Sequence, residues 1–208
     1  MVEVLGKPII LHQIEHLKKY GVRQFIIACR YKWEVIRNFL GNGEEYGIKV
    51  KYCVESQPLG RGGAIKNAYR EVTDQTRPVI ATNGDNVFDV DVSKLLKHHI
   101  SMNSLMAITL VPLKSPYGIV EIDGGRVKNF REKIVLPHWV NAGIYILTPQ
   151  AIKHFPERGD HEDSTFPKFA REGRIAAYLH KGFWKGIDNP KDLSEAEKFL
   201  SGPCGRKD

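Results

Sequence analysis

The first half of the chain is written in alternating blocks of two hydrophobic periods. Ile10, Ile14 and Leu17 recur at helical spacing, and Gly21 stands where that helix should stop. FIIAC (25–29) is a short apolar run of strand type, and YKWEVIRNFLGNG (31–43) reads as a second helix closed by glycine. IKVKYCVE (48–55) alternates and is rich in β-branched residues, which predicts a strand. GGAIKNAYREV (62–72) predicts a third helix, PVIATNGD (78–85) a buried strand ending in turn residues, and DVSKLLKHHI (91–100) a fourth helix, which Asp89 or Asp91 could start. Strands separated by helices of this length imply a parallel sheet with helices on both faces.

The pattern changes after Asn103. SLMAITLVPL (104–113) and VNAGIYIL (140–147) read as strands, and GIVEIDGGRVKNF (118–130) reads as two short strands around Asp-Gly-Gly, a hairpin signal. Short helices follow at 148–155 and 164–173, then a strand at 174–180. Asn189 is placed to cap a last helix with Pro190 in its first turn. The residues at 201–208 read as a frayed tail. No repeat or linker splits the chain, so residues 1–200 read as one continuous domain: a first half at 1–103, a second half at 104–188 holding a substrate-binding lobe, and a C-terminal helix at 189–200. The fold class expected is α/β, a Rossmann-like, mostly parallel sheet with a small β lobe.

Composition narrows this picture rather than changing it. The chain has 208 residues, 42% hydrophobic and 26% charged, which is ordinary for a globular protein. It has no apolar run of membrane-span length and no signal-peptide pattern at its start. The three cysteines, Cys29, Cys53 and Cys204, show no CxxC spacing, and thiols in a reducing cytoplasm are the plain reading. The net charge of +7 is spread among acids, as in KHFPERGDHED (153–163), so small anions such as phosphates are as good a partner as nucleic acid.

Ligands of open parallel sheets gather at the carboxyl ends of strands. Three strand ends here carry chemistry. In ESQPLGRGGAIKNA (55–68), Gly60, Gly62 and Gly63 lie between strand and helix, where a Cβ-free loop can approach a ligand and present N–H groups; the plain alternative is a turn. In ATNGDNVFD (81–89), Asp85 could hold Mg²⁺ together with substrate phosphates, or serve only as a turn residue. In GFWKGIDNPKD (182–192), Asp188 could be a second carboxylate of a metal site, or a helix-capping residue.

Taken in order, ExxPLGxGGA, NGD, YGIVEIDGGRVKNFREK, VNAGIY and FWxxxDxPxDL resemble the nucleoside-diphosphate-sugar pyrophosphorylases, the sugar-1-phosphate nucleotidyltransferases, from about Val2 to Leu200. The resemblance implies the nucleotide-diphospho-sugar transferase fold, a cytoplasmic enzyme and Mg²⁺. It implies nucleoside triphosphate and sugar 1-phosphate as partners, without nucleic acid or membrane, and leaves homo-oligomerisation open. By position it implies base contacts from Glu55, Gly60 and Gly62, and metal binding by Asp85 and Asp188. It likewise implies a sugar site of Tyr117, Gly118, Glu132, Asn141, Gly143 and Trp184, with Lys133 on phosphate. Tyr145 faces either the sugar or the core.

Three departures qualify the match. Many members read Trp-x-Asp-x-Gly-Thr-Pro where this chain has Gly186 at the aspartate position and Asp188 two residues on, as in cytidylyltransferase-like members. Arg61 replaces a small or apolar residue and either adds charge near a triphosphate or projects into solvent. Members also begin with an apolar strand, a glycine-rich loop carrying an arginine and a Pro-Lys-Pro, a segment that would end just before Met1. Its loss would leave two unpaired backbone edges in the sheet. A truncated chain is therefore expected, with a non-catalytic homologue or partner subunit as the main rival and a nucleic-acid-binding protein as the lesser one.

Overall fold

A computed structural model describes residues 1–202; the rest of the tail, with Cys204, lies outside the described residues. A short pair, β1 (Glu3–Val4) and β2 (Lys7–Pro8), opens the chain. Then come α1 (Ile9–Lys19), β3 (Gln24–Cys29), α2 (Trp33–Leu40), β4 (Lys49–Val54), α3 (Gly60–Tyr69), β5 (Val79–Thr82), β6 (Asn86–Phe88) and α4 (Val92–Ser101). The second half runs β7 (Met106–Lys114), β8 (Ile119–Asp123), β9 (Arg126–Arg131), β10 (Val135–Leu147), α5 (Pro149–Lys153), α6 (Thr165–Arg171), β11 (Ile175–Leu179), β12 (Trp184–Gly186) and α7 (Pro190–Ser201).

The helix ends follow their capping chemistry. Asn189 accepts hydrogen bonds from the N–H groups of Lys191 and Asp192 at 3.0 and 3.1 Å, with Pro190 as the first helical residue of α7. Of the two aspartates before α4, Asp91 is the cap, through the Lys94 N–H at 2.9 Å. Asp89 instead accepts from the Phe183 N–H at 2.8 Å and pairs with His180.

The central sheet has the order β11-β7-β10-β5. Strands β5, β7 and β11 share one direction, and β10 runs against them between β5 and β7. The cause is local: β7 reaches β10 through a hairpin rather than a helix, and a connection without a crossover reverses the chain. β10 also begins earlier than its apolar run suggests. Pro137 cannot donate to the ladder, and the register with β7 slips between Val135 and Trp139 around it.

Alternation along the strands buries both faces. Met106, Ile108, Tyr145 and Leu147 pack with Ile152, Phe155, Phe166 and Phe169 of the α5–α6 region, with α3 beside them. Ala107, Ile144, Ile146 and Ala176 point the other way, against Leu95 of α4 and Phe88 and Trp184 of the β6–β12 pair. This is the helix-covered arrangement the blocks predict. β3 and β4 form a separate parallel pair. Among the described residues β3 pairs only with β4, and β5 only with β10, so each keeps one edge without a strand partner. Cys29 and Cys53 on this pair are free and half-buried, and burial pushes the Cys29 thiol up to about 11. No helix among the described residues is long and apolar enough to cross a membrane.

Candidate active site

Two distant parts of the chain meet where β5 ends. The turn at 83–85 links β5 to β6, and β12 pairs antiparallel with β6, Gly186 opposite Asn86. One step further the Ile187 N–H donates to the Asp85 carbonyl at 3.0 Å. Asp85 and Asp188 therefore lie on adjoining chain segments at one end of this pair. Both are exposed, and neither carboxylate has a hydrogen-bond or ion-pair partner among the described residues. Two unpartnered hard-oxygen donors suit a divalent cation that takes its other ligands from phosphates and water. Among the described residues no cluster of three or more His, Cys, Asp or Glu forms a metal cage.

Buried polar groups brace this end. Asp192 accepts from the Asp188 N–H at 3.2 Å and from the Asn189 amide at 2.7 Å, and holds Lys185 at 2.7 Å. On the other side Gln13 of α1, 6% exposed, donates its amide to the carbonyls of Asn83 and Asn86 at 2.8 and 2.7 Å. It thus clamps both ends of the turn that carries Asp85. Gln13 interrupts the Ile10–Ile14–Leu17 stripe at a position three residues after Ile10, so its burial was readable from spacing. Gln13→Leu is expected to leave the buried Asn86 carbonyl without a donor and the Asn83 carbonyl with only the Thr82 hydroxyl at 3.2 Å, at about 1–3 kcal/mol, a loss that chemical denaturation would measure.

The Asn-x-Gly motif sits against the same turn. Gly143 has φ +69°, and its carbonyl accepts from the Asn83 N–H at 3.0 Å; a Cβ there would stand 2.5 Å from the Asn83 amide nitrogen. Asn141 accepts from the Gly143 N–H at 3.0 Å and donates its amide to the Tyr145 hydroxyl at 2.8 Å. Tyr145 is 1% exposed and belongs to the core, which decides its orientation; burial pushes its hydroxyl up to about 12. The Trp184 indole donates to the Ala142 carbonyl at 2.7 Å, which ties β12 to β10 beside Asn141.

The glycine turn is built differently from the expectation. Its N–H groups are not held open for a ligand. The Gly159 carbonyl accepts from Gly62 at 3.0 Å and Gly63 at 3.2 Å, and Asp160 accepts the Arg61 N–H at 2.7 Å. Gly60, at φ +73°, is a glycine because a Cβ would fall within 2.7–2.9 Å of the Gly159 backbone. Arg61 does not project freely into solvent. Its guanidinium pairs with Asp160 at 2.9 Å and Glu162 at 3.0 Å. Those bonds hold the Asp160 carboxyl below the usual range. The 157–162 loop was legible in sequence only as mixed charge. Glu55 caps the turn, one oxygen accepting from the Leu59 N–H at 3.1 Å.

The remaining sugar-site candidates lie on the hairpin. Gly118 and Glu132 adjoin, with Glu132 Oε1 3.1 Å from where a Gly118 Cβ would be. Tyr117 is exposed, as is Lys133. They stand at the Val135 end of β10, roughly 20 Å along the strand from Asn141. The structure therefore gathers Asp85, Asp188, Asn141, Gly143 and Trp184, and leaves Tyr117, Gly118, Glu132 and Lys133 as a second group.

Under the glycine turn, His161 is 1% exposed and stacked on Phe155. Its Nε2 lies 3.3 Å from a Glu162 oxygen, without hydrogen-bond geometry. Burial lowers His161 from 6.5 to about 4. The unfolded chain takes up a proton that the folded one refuses, so stability falls as pH drops from about 6.5 to about 4. The loss is about 3 kcal/mol, offset in part by Glu162, whose carboxyl burial raises. Denaturant melts across this range should show the slope, and His161→Phe should flatten it.

Comparisons with known proteins agree with this architecture. The family model described as Nucleotidyl transferase matches residues 1–202. A mannose-1-phosphate guanylyltransferase catalytic subunit beta of Danio rerio is 35% identical over 212 aligned residues, covering 98% of this chain and 57% of that protein. A mannose-1-phosphate guanyltransferase of Hypocrea jecorina is 33% identical with the same coverage. The chain thus spans a little over half the length of these relatives. The crystal structure of HddC from Yersinia pseudotuberculosis complexed with GMP-PN superposes with a TM-score of 0.76 at 29% identity, over 96% of this chain and 88% of that one.

Proposed function

The chain belongs to the nucleotidyl transferase family, and from that premise we propose that it carries out guanylyl transfer from GTP to a sugar 1-phosphate, with mannose 1-phosphate the leading acceptor. The observation that carries this reading is the β6–β12 pairing, which sets Asp85 beside Asp188 at the end of the sheet. In the proposed reaction a phosphate oxygen of the sugar 1-phosphate attacks the α-phosphorus of GTP, the α–β bridging P–O bond breaks, and pyrophosphate leaves with that oxygen. Catalysis of this kind is positioning and charge neutralisation.

Asp85 and Asp188 would hold Mg²⁺, which supplies neutralisation of the phosphate charge when bound. Asn141, exposed beside the Asn83 turn, presents its amide to the sugar, Gly143 lets that turn pack closely, and Trp184 keeps the segment in place. Lys133 and Glu132, with Tyr117 and Gly118, would supply sugar-phosphate contacts from the hairpin side. Glu55 keeps one oxygen beyond its bond to Leu59, and a carboxylate acceptor suits the N–H donors of guanine. Gly60 and Gly62 shape that wall through packing rather than through free N–H groups.

The reading is tested by a pyrophosphate-release screen of four nucleoside triphosphates against several aldose 1-phosphates. GTP with mannose 1-phosphate should give the fastest release. Release with no pair, from a folded chain that still binds GTP, would favour the non-catalytic homologue. Preference for another base would overturn the guanylyl assignment alone.

A further inference from the structure

Among the described residues the large hydrophobic side chain most open to solvent stands in a turn between β3 and α2. Tyr31 is 79% exposed, and its hydroxyl has no partner among the described residues. The backbone beside it is held against its local preference. Lys32, the residue before α2, has φ +52°, and no side chain caps the helix that follows. A left-handed lysine is strained, and strain of this kind gathers where a side chain is positioned for a ligand. Here the turn sets the Lys32 ammonium 5.2 Å from the centre of the Tyr31 ring. One face of the ring is thereby braced by a cation, and the rest of the ring stays in water. Across the strand pair the neighbour is Glu55. β3 and β4 run parallel with Cys29 opposite Val54, and the Glu55 N–H donates to the Cys29 carbonyl at 2.9 Å, which carries the ladder one step on. The backbones of Tyr31 and Glu55 therefore lie within roughly 10 Å of each other, at the carboxyl end of the pair.

We propose that Tyr31 is the platform on which the base of the nucleotide stacks. The inference rests on the proposed guanylyl transfer, in which Glu55 accepts from the N–H edge of guanine. An acceptor meets only the edge of a base and leaves both of its faces in water. An aromatic ring at stacking distance covers one of them, and the exposed Tyr31 ring is within a purine's reach of Glu55. Trp33, the other aromatic side chain of this turn, is already engaged, with the Arg37 guanidinium 5.6 Å and the Tyr52 ring 6.3 Å from it. Charge agrees with the assignment. Arg30 and Lys32 flank the ring, and neither forms an ion pair among the described residues. The cations of α3 are taken: Arg61 pairs with Asp160 and Glu162, and Lys66 and Arg70 with Glu157. A polyanionic triphosphate is drawn to the uncompensated pair. Every base has a π face, so Tyr31 supplies affinity while Glu55 makes the choice of base.

Titration calorimetry of the whole chain with GTP, GMP and inorganic tripolyphosphate tests the platform without reference to catalysis. Tyr31→Ala should raise the dissociation constants of GTP and GMP by a common factor, about ten- to a hundredfold. It should leave that of tripolyphosphate unchanged, because that anion has no base to stack. Tyr31→Phe, which keeps the ring face, should restore the affinity. Melting of Tyr31→Ala should match wild type, since the ring is already in water. In turnover the loss should appear in KM for GTP rather than in kcat, because stacking is the same in the ground and transition states. GTP binding by Tyr31→Ala within a factor of two of wild type overturns the proposal, and so does an equal loss for tripolyphosphate. Repeating the titration with ATP, CTP and UTP separates the two readings. Preference for another base, with the same loss in Tyr31→Ala, removes the guanylyl assignment and keeps the platform. Preference for GTP with no loss in Tyr31→Ala does the reverse, and a wild-type chain that binds no nucleoside triphosphate removes both.

Discussion

Asp85→Asn is expected to lower the rate of pyrophosphate release by a hundred- to a thousandfold or so, with the melting temperature unchanged. The two halves of that expectation come from different observations. The Asp85 side chain is exposed and takes part in no hydrogen bond or ion pair among the described residues, so the fold does not depend on its charge. Surface changes of this sort move stability by no more than about 0.5 kcal/mol. Its backbone carbonyl, which does hold Ile187, is untouched by the substitution. What asparagine removes is one of the two carboxylates proposed to hold the cation, in a reaction whose barrier is dominated by charge. Asp188→Asn should behave alike, and the double variant should lose little beyond either single one, because two ligands of one cation act as a unit. Raising Mg²⁺ should restore part of the Asp85→Asn rate, and Asp123→Asn should show no loss at all. Turnover within a factor of a few of wild type would remove both carboxylates from the chemistry.

The fold was largely legible because most of its elements are decided by local period. The helix at Ile9–Lys19 has its apolar stripe, that at Pro190–Ser201 its Asn189 cap, and the hairpin its Asp-Gly-Gly turn. Strand direction was less legible, since β10 reverses owing to how β7 connects to it, a property of the connection rather than of VNAGIYIL. The candidate site divides in the same way. Asp85 and Asp188 each ended a recognisable block, which made both legible as candidates, but only the β6–β12 ladder sets their segments side by side. Gln13 and Asp192 were missed because their roles are hydrogen bonds to backbone groups far away in the chain or hidden behind a cap. The loop at 157–162 hid behind its charges, and it is this loop that explains the glycines.

Gly60→Ala is expected to destabilise the chain by roughly 2–4 kcal/mol, the largest stability effect of any single methyl added near the site. The position is unfavourable twice over. At φ +73° an alanine is strained whatever surrounds it, a cost of about 1 kcal/mol. Its Cβ would also stand 2.7–2.9 Å from three backbone atoms of Gly159, which cannot swing aside as a side chain would. Relief requires the 157–162 loop to move outward, and that motion breaks the bonds from Gly62 and Gly63 to the Gly159 carbonyl and the Arg61–Asp160 pairing together. Gly84→Ala, where no atom lies within 4 Å of the added carbon and φ is not positive, should cost far less and serves as the control. Equilibrium denaturation of the two variants separates the accounts. If the glycine turn existed to offer its N–H groups to a phosphate, Gly60→Ala would weaken nucleotide binding and spare stability. If it exists to let a second loop lie on the start of α3, stability falls first and nucleotide binding follows only as the wall beside Glu55 shifts. A Gly60→Ala chain as stable as wild type would show that the close contact with Gly159 does not hold the site together.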